Sequence, residues 1–91
     1  MTLTEIYQKK SQFATRKVGN DMVLVPLKNN IADMSEMFTM NEVASFIWDC
    51  IDGRNNENVI LTNVIEAFDI DLKTAETDYD AFIESLSKMM A

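Results

Sequence analysis

Three short polar residues frame this chain, because Asn41, Asn56 and Asp71 each stand just before an apolar pattern of helical period. A side-chain oxygen at such a position accepts a hydrogen bond from a first-turn backbone N–H, so each residue marks the start of a helix. After Asn41, Glu42 places a carboxylate against the positive end of the helix dipole. Val43, Phe46, Ile47, Cys50 and Ile51 then recur at i, i+3, i+4, i+7 and i+8, and Gly53 can take the left-handed conformation that closes a helix. After Asn56, Ile60, Leu61, Val64, Ile65 and Phe68 share one face. That face is largely β-branched, so packing rather than intrinsic propensity must hold it helical. After Asp71, the residues Leu72, Ala75, Tyr79, Phe82, Ile83, Leu86 and Met90 keep the period to the end of the chain. The spacing predicts helices near 41–52, 57–68 and 72–88, with Phe46 and Phe82 at the centre of their apolar stripes.

The first part of the chain has a different grammar. Residues 1–11 show no sustained period and are expected to form a flexible N-terminal arm or a short fraying helix, leaving 12–91 as a single domain. Phe13 to Val18, a Gly19-Asn20-Asp21 turn and the run Met22 to Pro26 read as a hairpin. Pro26 has no backbone donor and is expected at a strand end or on a sheet edge. Beyond a Lys28-Asn29-Asn30 turn, residues 31–40 fit either a second tight hairpin or one bent strand. Strands followed by three helices predict an α+β fold, winged helix-turn-helix-like, with a small antiparallel β-sheet followed by three α-helices.

Composition narrows the chemistry. Ninety-one residues make one small core, and 47% hydrophobic content is that of a globular chain. No apolar run approaches the roughly 20 residues of a membrane span, and the first residues lack a secretory signal's apolar segment, so a cytoplasmic protein is expected. The chain has no histidine and one cysteine, which removes most zinc sites and the histidine-assisted nucleophiles. Its only glycines are Gly19 and Gly53, so no glycine-rich phosphate loop exists. A non-enzyme without cofactor or metal is expected. Residues 1–30 hold five basic and two acidic side chains, whereas residues 31–91 hold three basic and thirteen acidic ones, which together give the net charge of −7. An acidic helical part repels a phosphate backbone, so nucleic acid is not an expected partner.

The segment from Thr39 to Gly53, Thr39-Met40-Asn41-Glu42-Val43-Ala44-Ser45-Phe46-Ile47-Trp48-Asp49-Cys50-Ile51-Asp52-Gly53, resembles the central motif of the PqqD family. That motif is leucine-asparagine, a small residue, tryptophan and aspartate-glycine, and Met40 stands at the leucine position. The likeness extends from about Val23 to Met90. It includes the apolar strand Val23-Leu24-Val25, the Asn56 cap, Phe68-Asp69-Ile70-Asp71, Asp78-Tyr79, Phe82-Ile83 and Leu86. Two departures are visible: Asn56 replaces the usual threonine cap, and Met89 stands where the family has a glycine, so the C-terminal end is expected to pack differently or stay helical.

The resemblance implies a noncatalytic domain that binds the leader segment of a ribosomally made precursor peptide and presents it to a modifying enzyme of the radical S-adenosylmethionine type. The implied mode is β-augmentation, in which the leader adds a strand to an exposed edge beside the last helix. On this chain the edge falls on Asp33, Met34, Met37, Phe38, Thr39 and Met40, and the groove wall on Ala75, Asp78, Tyr79, Phe82 and Leu86. The runner-up is a winged-helix DNA-binding regulator, against which stands a second helix containing Glu57 and Glu66 and no Lys or Arg. A third reading is a homo-oligomerising domain, a homodimer paired through its free strand edge.

Several residues carry two readings. The methionines near the edge suit a surface that repacks around a peptide, and equally fill gaps in a core. The carboxylates Glu76, Asp78, Asp80 and Glu84 read as a solvated helix face or as a selector for a basic partner. Trp48 and Cys50 read as packing residues. Asp69 and Asp71 are explained by cap and turn roles better than by a metal ion.

Overall fold

The computed structural model describes residues 1–90. Helix α1, Leu3–Lys9, starts in a reciprocal cap in which Thr2 Oγ1 accepts from the Glu5 N–H and the Glu5 carboxylate accepts from the Thr2 N–H. The first segment is therefore a helix and not an arm detached from the fold. Its Ile6 is fully buried in the common core, a long-range contact that a search for periodicity within seven residues does not reveal.

Strands β1, Phe13–Val18, and β2, Asp21–Lys28, pair antiparallel through the expected Gly19-Asn20 turn. Gly19 has φ +63°, the positive value that the first residue of a tight two-residue hairpin turn requires. Asn29 and Asn30 have φ +54° and +63°, the pair of left-handed residues that turns β2 directly into β3, Ile31–Ala32. A 3₁₀ turn, Met34–Glu36, follows, and then β4, Phe38–Met40.

Both β3 and β4 pair with β2 on the flank opposite β1, so residues 31–40 form one interrupted strand rather than a separate hairpin. Between the pairs Leu27↔Ala32 and Leu24↔Phe38, β2 advances three residues while the other strand uses six. Pro26 sits opposite this break, inside the central strand and not at a strand end or sheet edge. Its carbonyl accepts from the Asp33 N–H at 2.8 Å. In an antiparallel strand a residue's N and O point to the same side, so the missing donor faces the interruption, where no partner is stranded.

The three expected helices are α2, Glu42–Cys50, α3, Glu57–Phe68, and α4, Leu72–Met90. Their caps are those read from the sequence: Asn41 Oδ1 accepts from the Ala44 N–H at 2.8 Å, Asn56 Oδ1 from Val59 at 2.9 Å and Asp71 Oδ1 from Thr74 at 2.7 Å. Asp69, with φ +51°, closes α3 in the left-handed conformation. Helix α2 ends earlier than expected, at Ile51, and Gly53 with φ +83° turns the following loop instead. Helix α4 stays helical through Met89, and Met90 is buried.

The α+β class is as expected, with a four-stranded antiparallel sheet followed by helices; the winged-helix likeness rests on element order alone. One core joins Ile6, Leu24 and Met40 to Ile47 and Trp48 of α2 and Ile51 just beyond it, Ile60, Leu61 and Val64 of α3, and Ala75, Tyr79, Phe82 and Leu86 of α4. Each large aliphatic or aromatic side chain withdrawn from water there contributes about 1.5–3 kcal/mol. Trp48 is buried as its helix face implied. Phe46 is not central: it is half-buried, edge-on to Phe68 with ring centroids 5.4 Å apart, and Ile47 occupies the core in its place. The stripe of α2 is rotated by about one residue from the expected phase.

The C-terminal ends of two helices are finished from the first segment. Lys10 Nζ donates to the carbonyls of Trp48 at 2.8 Å and Ile51 at 2.9 Å and lies 4.6 Å from the centroid of the Trp48 ring. Lys9 Nζ donates to the Met90 carbonyl at 2.9 Å. These ammonium groups supply donors to carbonyls at the negative ends of α2 and α4, adding at Trp48 to the Ile51 N–H that its carbonyl already accepts at 3.2 Å.

Candidate functional site

The interrupted strand leaves β4 as an outer strand beside α4. Side chains alternate along β4, so Phe38 and Met40 turn toward the helices and Thr39 turns away. Met40 lies wholly in the core, but Phe38 is only half-buried and meets Phe82 with ring centroids 6.2 Å apart at an interplanar angle of 37°. These rings form the floor of a cleft of about 190 Å³ bounded by β4, the start of α2 and one face of α4. Its α4 wall is Asp78, Ala81, Phe82 and Ser85, the i, i+3, i+4, i+7 stripe of a helix. Thr39, Asn41, Val43 and Ala44 complete the rim. Small-molecule sites usually enclose about 300–1,000 Å³, so this cleft suits a side chain or two better than a cofactor.

The residues singled out in the sequence divide into three groups. Phe38, Thr39, Asp78 and Phe82 line the cleft together. Met40, Ala75, Tyr79 and Leu86 are core residues, each buried to within a few per cent; they hold the cleft wall from behind and do not face it. For Tyr79, burial and the nearby carboxylates of Glu57 and Asp80 push the phenol up to about 12. Asp33, Met34 and Met37 belong to the break between β3 and β4. Asp33 organises that break: its Oδ1 accepts from the Ser35 N–H at 3.1 Å and from the Ser35 hydroxyl at 2.6 Å, and its Oδ2 pairs with Lys28 Nζ at 2.9 Å. The Ser35 hydroxyl first, then the Lys28 ammonium and the Ser35 amide, hold its carboxyl down to about 2. Met34 and Met37 are 43% and 50% exposed, and with Ile31 at 71% they give this edge an apolar surface.

Sequence reasoning missed Ile31, Asn41, Val43, Ala44, Ala81 and Ser85. Ala81 and Ser85 were recoverable, since they follow Asp78 at helical spacing, whereas Ile31 reads as an ordinary strand residue until its exposure is seen. A larger groove of about 550 Å³ lies on the other flank of Asn41, lined by Lys17, Asn20, Asp21 and Met22 of the hairpin end, by Glu42, Ser45, Phe46 and Asp49 of α2, and by Phe68. It contains the half-buried Phe46–Phe68 pair, and only Met40 of the expected site residues touches it.

Cys50 is half-buried, and burial raises its thiol pKa, which makes it less nucleophilic. Asp69 and Asp71 are occupied as a helix closure and a cap. No helix among the described residues is long and apolar enough to cross a membrane.

No curated protein and no solved structure gives a match to this chain. The family model for coenzyme PQQ synthesis protein D (PqqD) matches residues 21–89, which include β2, β3, β4, α2, α3 and nearly all of α4, and the chain belongs to the PqqD family.

Proposed function

We propose that this protein is a noncatalytic recognition domain for the leader segment of a ribosomally made precursor peptide, which it presents in the cytoplasm to a modifying enzyme of the radical S-adenosylmethionine type. The family's association with PQQ biosynthesis and with a peptide partner of such an enzyme supports this reading. So does its membership among noncatalytic accessory proteins. The observation that carries it is the placement of an outer strand, β4, along a cleft with an aromatic floor whose opposite wall is α4. An added strand would gain main-chain hydrogen bonds along β4, while alternate side chains pack onto the Phe38–Phe82 floor of the cleft. The exposed Ile31, Met34 and Met37 would continue the contact beyond the end of β4, with thioethers that adapt to varied side chains.

The test is a titration of isotope-labelled protein with leader peptides encoded beside its gene, followed by NMR. Shifts concentrated in residues 38–44 and 78–85 are expected. Shifts confined to α3, or no response to any cognate leader, would defeat the proposal.

A further inference from the structure

The cleft is not chemically neutral, and its asymmetry indicates what kind of peptide it takes. Among its described lining residues Asp78 is the only charged one, and it is an anion. It is half-buried, one turn from the Phe82 ring, and makes no hydrogen bond or ion pair among the described residues. Its helix neighbours Glu76, Asp80 and Glu84 are exposed, and the nearest cation toward the C-terminus, Lys88, is already 3.5 Å from Glu84. A carboxylate that gives up part of its hydration beside phenyl rings without an internal partner gains most from a cation brought by the ligand. At the other end of the same wall the Ser85 hydroxyl donates to the Ala81 carbonyl at 3.0 Å. It has only acceptor capacity left to offer, so both polar ends of the α4 wall call for donors.

We propose, building on the leader-recognition reading above, that this cleft selects extended segments in which an apolar side chain is separated by one residue from a lysine or arginine. The apolar side chain packs onto the Phe38–Phe82 floor and the cation reaches Asp78. The spacing follows from two geometries. In an added strand, side chains two residues apart point to the same face about 6.6 Å from one another. On α4, Asp78 and Phe82 are one turn apart, with Cβ atoms about 5–6 Å apart. A cation on the adjacent residue points away from the helix, and one four positions along is carried past the carboxylate. The charge sense is also specific: exchanging the cation for an anion sets it against Asp78 and against the acidic face of α4.

The experiment is selection of binders from a display library of random peptides by the intact protein. Retained sequences are then synthesised and mapped by NMR. Enrichment of Lys or Arg two positions from an apolar residue is expected. Exchanging that cation for glutamate in a selected peptide should weaken binding about three- to tenfold at low salt, the range of a partly exposed ion pair. Asp78→Asn should weaken binding of the cationic peptide and narrow its advantage over the glutamate version, and Asp78→Lys should reverse the preference, with circular dichroism confirming that both variants fold. If peptides map to residues 38–44 and 78–85 but cationic and anionic versions bind alike, the charge rule is overturned while the leader-recognition reading stands. If no peptide maps to that edge, the reading falls and the rule with it.

Discussion

The α1 end of the molecule and the β4 edge are built on opposite terms. At the α1 end Ile6 is fully buried, Lys9 and Lys10 complete the carbonyl ends of α4 and α2, and Gly53 packs so closely under the Tyr7 ring that an added Cβ would come within 2.8 Å of it. At the β4 edge the strand is broken, Ile31, Met34 and Met37 face water, and Asp78 has no partner among the described residues. One end is over-satisfied and the other is left unfinished, although both belong to a chain of 91 residues with a single core. A domain this small has little stability to spare, so the satisfied contacts at the α1 end count for the whole fold.

The largest expected effect tests the satisfied end. Ile6→Ala should destabilise the protein by about 2–5 kcal/mol, the usual range for emptying a buried aliphatic site. A urea melt showing less than about 1 kcal/mol would mean that the first eleven residues are an arm after all. Next comes Lys10→Met, which removes two charge-assisted hydrogen bonds, to the Trp48 and Ile51 carbonyls, while keeping an apolar stem. It should cost about 1–3 kcal/mol by the same measurement, and no loss would mean that water replaces the ammonium without penalty.

A third effect depends on pH. The Tyr79 phenol is raised in the folded protein from 10.0 to about 12, so its contribution is intact below pH 10 and is lost as pH rises toward 12. Tyr79→Phe should flatten the alkaline arm of a stability–pH curve relative to the parent; identical curves would assign that arm to other groups. The smallest effect belongs to the unfinished edge. Replacing Met34 and Met37 with serine should change stability by no more than about 0.5 kcal/mol, because neither is buried. Leader affinity should fall in the same double variant, and a large stability loss would show that the edge is structural.

Helix starts were legible because the information is local: Asn41, Asn56 and Asp71 cap within three residues of themselves. The phase of a stripe was less so. Phe46 and Ile47 are adjacent apolar residues on the first core helix, and which one points inward depends on how α2 lies against α3 and α4; Phe68 on α3 draws Phe46 to the periphery. The candidate site was half legible. Asp78 and Phe82 share a helix face by spacing, and Phe38 pairs with Phe82 across the cleft. Ala75, Tyr79 and Leu86 lie on the neighbouring, inward part of the same helix, and a sequence alone does not say where the core stops and the cleft begins.

By itself the sequence determined the helix caps, the β1–β2 hairpin, the α+β order, the acidic character of the helical part and the family, because these depend on neighbouring residues or on composition. Only the tertiary structure decided that residues 31–40 are one broken strand, since the break is held by Lys28, Asp33, Ser35 and the carbonyl of Pro26 acting together. It also decided that the first segment docks. Lys9 and Lys10 find their partners some forty to eighty residues away and Ile6 joins the common core, and contacts at that separation leave no periodic trace in the chain that makes them.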